Sequence, residues 1–148
     1  TKLFGAIQSN MPVPMVGSGR NTYQMVSVFD CADAIWRGII TDAAQGVFNL
    51  GSKPGDTSKV MLRKLIRKVG SKSVVIPIPS PLIKPALRML DRIALSPLVP
   101  EQFEIADLNY VLDVSRTKAV LGWEPVGNDA ELMLSAYQTY VELKGEMR

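Results

Sequence analysis

The sequence predicts an α/β fold, and three observations support this. The run Tyr23–Phe29 is rich in β-branched and aromatic residues and leads directly into helical spacing over Asp30–Ile40. The apolar run Val47–Leu50 is closed by Gly51 and is typical of a strand buried on both faces of a parallel sheet. Val74–Ile78 is a further short, strand-like run between segments of helical periodicity.

At the start of the chain, helical spacing over Lys2–Ser9 predicts a helix. Because only Thr1 precedes it, we expect the natural chain to begin earlier. Prolines force Met11–Pro14 into an extended conformation. The composition of Gly17–Asn21 predicts a turn. A dinucleotide-binding loop follows a strand and opens a helix, whereas this turn leads into the predicted strand, so we interpret it as a plain turn.

The central helix is predicted to have Asp30 as its N-cap. Asp33 lies near the N-terminus, where the helix dipole stabilises a negative charge. Cys31 in its first turn is interpreted as a small core residue. One apolar stripe runs along this helix, formed by Ala32, Ile35, Trp36, Ile39 and Ile40.

Further helices are predicted downstream. Thr57 or Ser58 begins one that ends at Gly70, and its buried stripe contains Leu62, Leu65, Ile66 and Val69. Its basic side, within Lys59–Lys68, is interpreted as a solvated outer face. The helix that opens at Ser80 has few polar residues, so we expect it to be mostly buried or to lie against something.

Three more elements complete the prediction. Tyr110–Val114 has the composition of a strand, and Ser115 is the expected N-cap of a helix over Arg116–Leu121. Asn128 and Glu131 have the spacing of a capping box for the last helix. The buried face of that helix is predicted to contain Leu132, Ala136, Tyr137, Tyr140 and Val141.

Composition excludes several kinds of site. The chain has 148 residues, 47% of them hydrophobic, which suits one domain with a core. It has no histidine and one cysteine, so zinc sites and Ser-His or Cys-His nucleophiles are excluded, and no metal site is predicted. A net charge of +3 is too small to indicate nucleic acid by itself. No apolar run reaches the ~20 residues that span a bilayer, so we expect no membrane partner and a cytoplasmic location.

Four motifs carry a resemblance to a known family. They are Met-Pro-Val-Pro-Met-Val-Gly-Ser-Gly at 11–19, Gln-Met-Val-Ser-Val-Phe-Asp-Cys-Ala-Asp-Ala-Ile at 24–35, Gly-Val-Phe-Asn-Leu-Gly-Ser at 46–52, and Asp-Val-Ser-Arg-Thr-Lys-Ala-Val-Leu-Gly-Trp-Glu-Pro at 113–125. In this order they resemble the C-terminal half of the extended short-chain dehydrogenase/reductase family, which includes NAD-dependent epimerases and dehydratases. The resemblance covers nearly the whole chain.

The resemblance implies the C-terminal portion of a Rossmann-like enzyme, with residues 1–148 forming a small mixed α/β substrate-binding region. Segment 24–69 would include the final strand and helices of the nucleotide-binding sheet, with Val47–Leu50 as that strand. The family's glycine-rich loop and Tyr-x-x-x-Lys pair would lie in an absent N-terminal half. Hydride transfer to and from NAD or NADP would then belong to the full-length parent. We therefore expect this chain alone to be inactive, with no catalytic residue and no bound cofactor.

The resemblance also implies substrate-binding positions, namely Met15, Val16, Arg20, Tyr23 and Asp107. In sugar-nucleotide members an arginine stands about where Tyr23 is, and another stands within the stretch matching 101–104. Both arginines are absent here, although Arg20 has the reach to contribute from the turn. Because a guanidinium is the natural partner of a diphosphate, a small-molecule substrate is expected but a sugar nucleotide is doubtful.

Two alternatives stay open beside the enzyme interpretation. One is a non-catalytic binding or regulatory protein of the same architecture. The weaker one is a basic module that binds nucleic acid through Lys59–Lys68, with a steep dependence of affinity on salt. As a fragment, the chain is also expected to expose an apolar surface and to self-associate, because Val47–Leu50 and its helices lack their partners.

Overall fold

Two short strands, one near the start of the chain and one from its middle, pair in parallel. The computed structural model describes residues 2–53, 55–95 and 98–146. Within these ranges the elements are α1 Lys2–Gln8, β1 Val13–Val16, α2 Val28–Ile40, α3 Ser58–Lys68, β2 Val75–Ile78, α4 Ser80–Arg92, α5 Pro100–Ile105, α6 Ser115–Leu121 and α7 Asp129–Glu146. Strands β1 and β2 pair in parallel, with Val13 opposite Val75 and Val16 opposite Ile78. The predicted α/β class is confirmed.

The two strands tolerate their prolines because each is an edge strand. Pro14 and Pro77 are both exposed, while the neighbouring Val13 and Val75 face the core. The pairing extends beyond the strand ends, since the amide of Val13 donates to the carbonyl of Val74 (2.9 Å) and that of Gly17 to the carbonyl of Ile78 (2.8 Å). The segment after β1 is thereby held at the carboxyl end of the strand pair.

Three separate apolar clusters hold the helices. The largest lies between α1, both strands, α3 and α7, and it contains Phe4, Ile7, Val13, Met15, Leu62, Leu65, Ile66, Val75 and Tyr137. A second joins β1 to α4 and α5 through Val16, Leu87 and Phe103. The third joins α2 to α6 and the loop after it through Ala34, Leu121 and Trp123. Each helix therefore buries one side only, as amphipathic helices do.

The predicted N-cap of the central helix is wrong by three residues. Helix α2 begins at Val28, and its N-cap is Ser27, whose hydroxyl accepts from the amide of Phe29 (3.1 Å). Asp30 lies in the first turn and is 2% exposed. Its Oδ1 accepts from the amide of Val126 (3.3 Å), so Asp30 connects α2 to the loop before α7.

The strands predicted over Tyr23–Phe29, Val47–Leu50 and Tyr110–Val114 are not formed. Residues 47–50 have no strand partner within the described part of the chain. Tyr23 and Tyr110 make a single isolated bridge. A strand needs a partner with free backbone groups, and a favourable composition does not supply one.

The residues predicted to cap or end the other helices mostly do so. Asn128 and Glu131 form the capping box of α7: Asn128 Oδ1 accepts from the amide of Glu131 (3.2 Å), and Glu131 Oε2 accepts from that of Asn128 (3.0 Å). Gly70, with φ of 68°, follows the end of α3 as expected. For α6 the predicted cap is wrong by one residue, since Ser115 is itself the first helical residue and Val114 is the N-cap. Asp113 Oδ1 accepts from the amide of Ser115 (2.9 Å).

Burial differs from prediction for several side chains. Helix α4, expected to be mostly buried or to lie against something, is mostly exposed, and it lies against β1 and α5 through the buried Leu87. Ala136 of α7 is exposed, while Met133 and Leu134 pack against the main cluster instead. Cys31, predicted in the core, is half-buried.

One side of α2 carries large apolar residues that face solvent. We call it the α2 face, and it consists of Phe29, Ile35, Trp36, Ile39 and Ile40, which are 60–81% exposed. These residues include most of the predicted apolar stripe. On the opposite side, Asp30 and Ala34 are buried. The stripe predicted from spacing therefore has no covering element among the described residues.

Within the described part of the chain, no helix has the length and hydropathy needed to cross a bilayer.

Candidate functional site

A cavity of about 420 Å³ lies where the turn after β1 meets the start of α3 and helix α5. Its size falls in the range of small-molecule sites. Most of its accessible lining is apolar, and it is formed by Tyr23, Ser58, Met61, Glu101, Gln102, Ile105 and Ala106. We call it the Tyr23 cavity.

Tyr23 is positioned by backbone pairing and by an aromatic contact. The amide of Gln24 donates to the carbonyl of Tyr110 (2.9 Å), and the amide of Tyr110 donates to the carbonyl of Thr22 (2.8 Å). The rings of Tyr23 and Tyr110 stack with centroids 5.9 Å apart and an interplanar angle of 25°. Such a pair restricts the Tyr23 ring, and Tyr23 is one of the lining residues.

Asn21 holds the walls of the cavity together, and the sequence interpretation missed it. Its side-chain amide donates to the carbonyls of Ala106 (3.0 Å) and Leu108 (3.1 Å) at the end of α5. Its own carbonyl accepts from the amide (2.9 Å) and the hydroxyl (3.1 Å) of Ser58. Asn21 is 7% exposed, so these bonds are shielded from water. An asparagine after a glycine-rich segment indicates only a turn, and no local signal distinguishes this role.

The N-terminus of α3 beside the cavity has its first amides occupied. The amide of Ser58 donates to Asn21, and that of Lys59 donates to the carbonyl of Gly19 (3.0 Å). Backbone carbonyls therefore take the donors that a helix N-terminus otherwise offers to an anion.

The other predicted substrate residues lie around the cavity without lining it. Met15 and Val16 are buried in β1, and Arg20 is exposed on the turn. Asp107 lies just past α5, against Gly17, where an added Cβ would be 2.7 Å from the Asp107 Cβ. Of the five predicted positions, Tyr23 alone is among the lining residues, and the binding roles of all five stay predictions.

An ion-pair network joins α4 to α5 next to Asp107. Lys84 Nζ donates to Asp107 Oδ1 (2.7 Å) and to the carbonyl of Glu104 (2.7 Å), and it is 16% exposed. Arg88 pairs with the Glu104 carboxylate at 2.6 Å. Hydrogen bonds from Lys84 and then Ser80 hold the pKa of the Asp107 carboxyl below its ordinary value.

Because the pKa of Asp107 is lowered in the folded state, its contribution to stability is present above the unfolded-state pKa and is lost as pH falls through the folded one. We expect Asp107→Asn to reduce the free energy of unfolding at neutral pH by about 1 kcal/mol. The difference from wild type should disappear toward about pH 2. Urea unfolding across this range measures it, and a difference independent of pH would contradict the prediction.

The residues present do not fit a dinucleotide cofactor. The Gly17–Gly19 turn follows β1 but is not followed by a helix, since the next helix is α2 at Val28. The amide of Gly17 already donates to Ile78, and that of Arg20 to the Ser18 hydroxyl (3.3 Å). A pyrophosphate cradle needs free amides at a helix N-terminus. We therefore derive no step through NAD or NADP for this chain. No group of acidic or cysteine residues in the described ranges is arranged to hold a metal ion.

Comparison with known proteins bears on the fold. No family model matches the sequence. An uncharacterized protein, y4nG, of Sinorhizobium fredii (strain NBRC 101917 / NGR234) is 26% identical over 140 residues, covering 93% of this chain and 35% of that protein. The structure of UDP-glucose 4-epimerase from Thermotoga maritima, with UDP-glucose, superposes with a TM-score of 0.65 at 20% identity. UDP-glucuronic acid 4-epimerase from Bacillus cereus, in complex with NAD, superposes with a TM-score of 0.62 at 13% identity.

These likenesses show the fold and its extent. The two superpositions cover 95–96% of this chain and 38% of each epimerase chain. The chain thus spans little more than a third of the length of the proteins it resembles. Its fold is that of the C-terminal portion of Rossmann-like epimerases, as the motifs at 11–19, 24–35, 46–52 and 113–125 predicted.

Proposed function

We propose that this chain is the substrate-binding portion of an NAD(P)-dependent epimerase, dehydratase or reductase. In this proposal the cofactor and the residues that transfer hydride and proton belong to a nucleotide-binding portion outside residues 1–148. The residues of this chain contribute the Tyr23 cavity and one surface that contacts the nucleotide-binding portion. The superposition of nearly the whole chain on a part of two epimerases supports the proposal most directly.

The α2 face is the surface that we assign to this contact. Five large apolar residues on one helix are mostly exposed, and apolar patches of this kind mark interaction sites. The nearby run Val47–Leu50, predicted as the final sheet strand, has no strand partner in the described chain, and Val47 is 79% exposed. A sheet that pairs with 47–50 and packs on α2 would cover both. Self-association of the isolated chain through this face also stays a prediction.

The proposal is tested on the native gene product. We expect its intact mass to be more than twice that of this chain, because the superposed epimerases are roughly two and a half times as long. Calorimetry should detect binding of NAD or NADP to the native product and none to residues 1–148 alone, since the Gly17–Gly19 turn does not lead into a helix as a dinucleotide-binding loop does.

A native product of only this mass would contradict the proposal. Binding of NAD or NADP to the isolated 148 residues would contradict it as well, and would require the cavity or the turn to be reinterpreted.

A further inference from the structure

Resting on the proposed function, we infer that the Tyr23 cavity takes an uncharged, largely apolar organic molecule that carries a hydroxyl or carbonyl group. A nucleoside diphosphate is not its ligand. This assigns a substrate class to the cavity from the chemistry of its own walls.

The walls match such a molecule in shape and polarity. Met61, Ile105 and Ala106 supply an apolar surface from α3 and the end of α5. The Tyr23 ring, fixed by its stacking on Tyr110, is suited to contact a flat apolar group. Little of the accessible lining is polar, as in most small-molecule sites, and the polar residues there include Ser58 and Gln102.

The charges disfavour an anion. Among the described residues, those that line the cavity include no lysine or arginine, and the charged one is Glu101. A diphosphate placed here would meet a like charge, which costs free energy in a partly enclosed site.

Two cations of α4 and one of α3 are committed elsewhere. Lys84 is bound to Asp107 and to the Glu104 carbonyl, and Arg88 is paired with Glu104. Lys64, further along α3, pairs with Asp56 at 2.6 Å. The first two α3 amides are also bonded to carbonyls, so these backbone groups and the three paired cations do not supply the donors that a phosphate group requires.

The test compares two probes that differ by one group, 2-naphthol and 2-naphthyl phosphate. Both are titrated into the 148-residue protein while the methyl resonances of Met61 and Ile105 are followed by NMR. We expect 2-naphthol to shift these resonances and to bind at least about tenfold more tightly than the phosphate, because of the like charge at Glu101.

Two variants separate a local charge effect from a general one. Glu101→Lys should improve binding of 2-naphthyl phosphate relative to 2-naphthol by several-fold, up to about tenfold. Glu142→Lys makes the same change of charge at an exposed position of α7 and should leave the ratio of the affinities for 2-naphthol and 2-naphthyl phosphate unaltered. A well-dispersed spectrum of each variant shows that it is folded.

Three results would overturn the inference: equal or tighter binding of the phosphate by the wild type, no shift of the two methyl resonances by either probe, or the same response in both variants. None of these results depends on the mass or the cofactor binding of the native product. Failure of this inference is therefore distinguishable from failure of the proposed function.

Discussion

Replacing Trp123 by alanine is expected to lower the free energy of unfolding by about 3–5 kcal/mol. Its side chain is fully buried in the cluster that joins α2 to α6, where it packs with Ala34 and Leu121. The indole Nε1 also donates to the carbonyl of Asp30 (3.0 Å). Removing the ring leaves a cavity and a carbonyl without its donor, and both effects destabilise the fold.

The matched control is Trp36→Ala, the same substitution on the α2 face. Trp36 is 61% exposed in the single chain, so at protein concentrations low enough to prevent self-association the change should alter stability by no more than about 0.5 kcal/mol. Urea unfolding of wild type and both variants, followed by far-UV circular dichroism, measures the difference. Similar losses in the two variants would show that the α2 face is covered in solution or that the Trp123 cluster contributes little.

The second large effect is expected for Asp129→Ala, with a loss of about 2–4 kcal/mol. Asp129 is the first residue of α7 and is 1% exposed. Its Oδ1 accepts from the amide of Met25 (2.8 Å) and from the hydroxyl of Ser52. Truncation leaves two buried donors without an acceptor and disconnects α7 from the chain on both sides of α2.

Two further variants isolate this contact. Asp129→Asn keeps a carbonyl oxygen as acceptor and should lose less stability than Asp129→Ala, while Asp42→Ala, at an exposed position in the loop after α2, should be nearly neutral. A double-mutant cycle with Ser52→Ala should give a coupling free energy of about 1 kcal/mol. Additive losses in that cycle would show that the hydrogen bond to Ser52 is not energetically significant.

The parts of the fold that the sequence predicted correctly depend on neighbours along the chain. The apolar spacing at Leu62, Leu65 and Ile66 defines α3, and the Asn128–Glu131 spacing defines the start of α7. The composition of Val74–Ile78 predicted β2, and the prolines predicted an extended Met11–Pro14, where β1 begins at Val13. The motif resemblance extended this to the fold of a larger protein's C-terminal portion, which the superpositions support.

The candidate site was only partly predictable. Tyr23 was singled out from the resemblance, and it lines the cavity. Asn21, which holds Ala106, Leu108 and Ser58 in place, carried no signal because its partners lie 37 to 87 residues away. Spacing in the sequence does not show which distant carbonyls a buried amide meets.

By itself, the sequence determined the positions of most helices, the strand at Val75–Ile78, the extended segment that leads into β1 and the apolar stripe on α2. These features depend on steric limits and periodicity within a few residues. Only the tertiary structure decided that Asp30 holds Val126 and is not a cap, and that the stripe is exposed. It also decided that, within the described ranges, 47–50 have no strand partner and 110–114 form one bridge, at Tyr110. Those outcomes depend on which distant segments supply hydrogen-bond partners and apolar cover. Local composition shows the need for such partners, and the packed fold determines whether this chain supplies them.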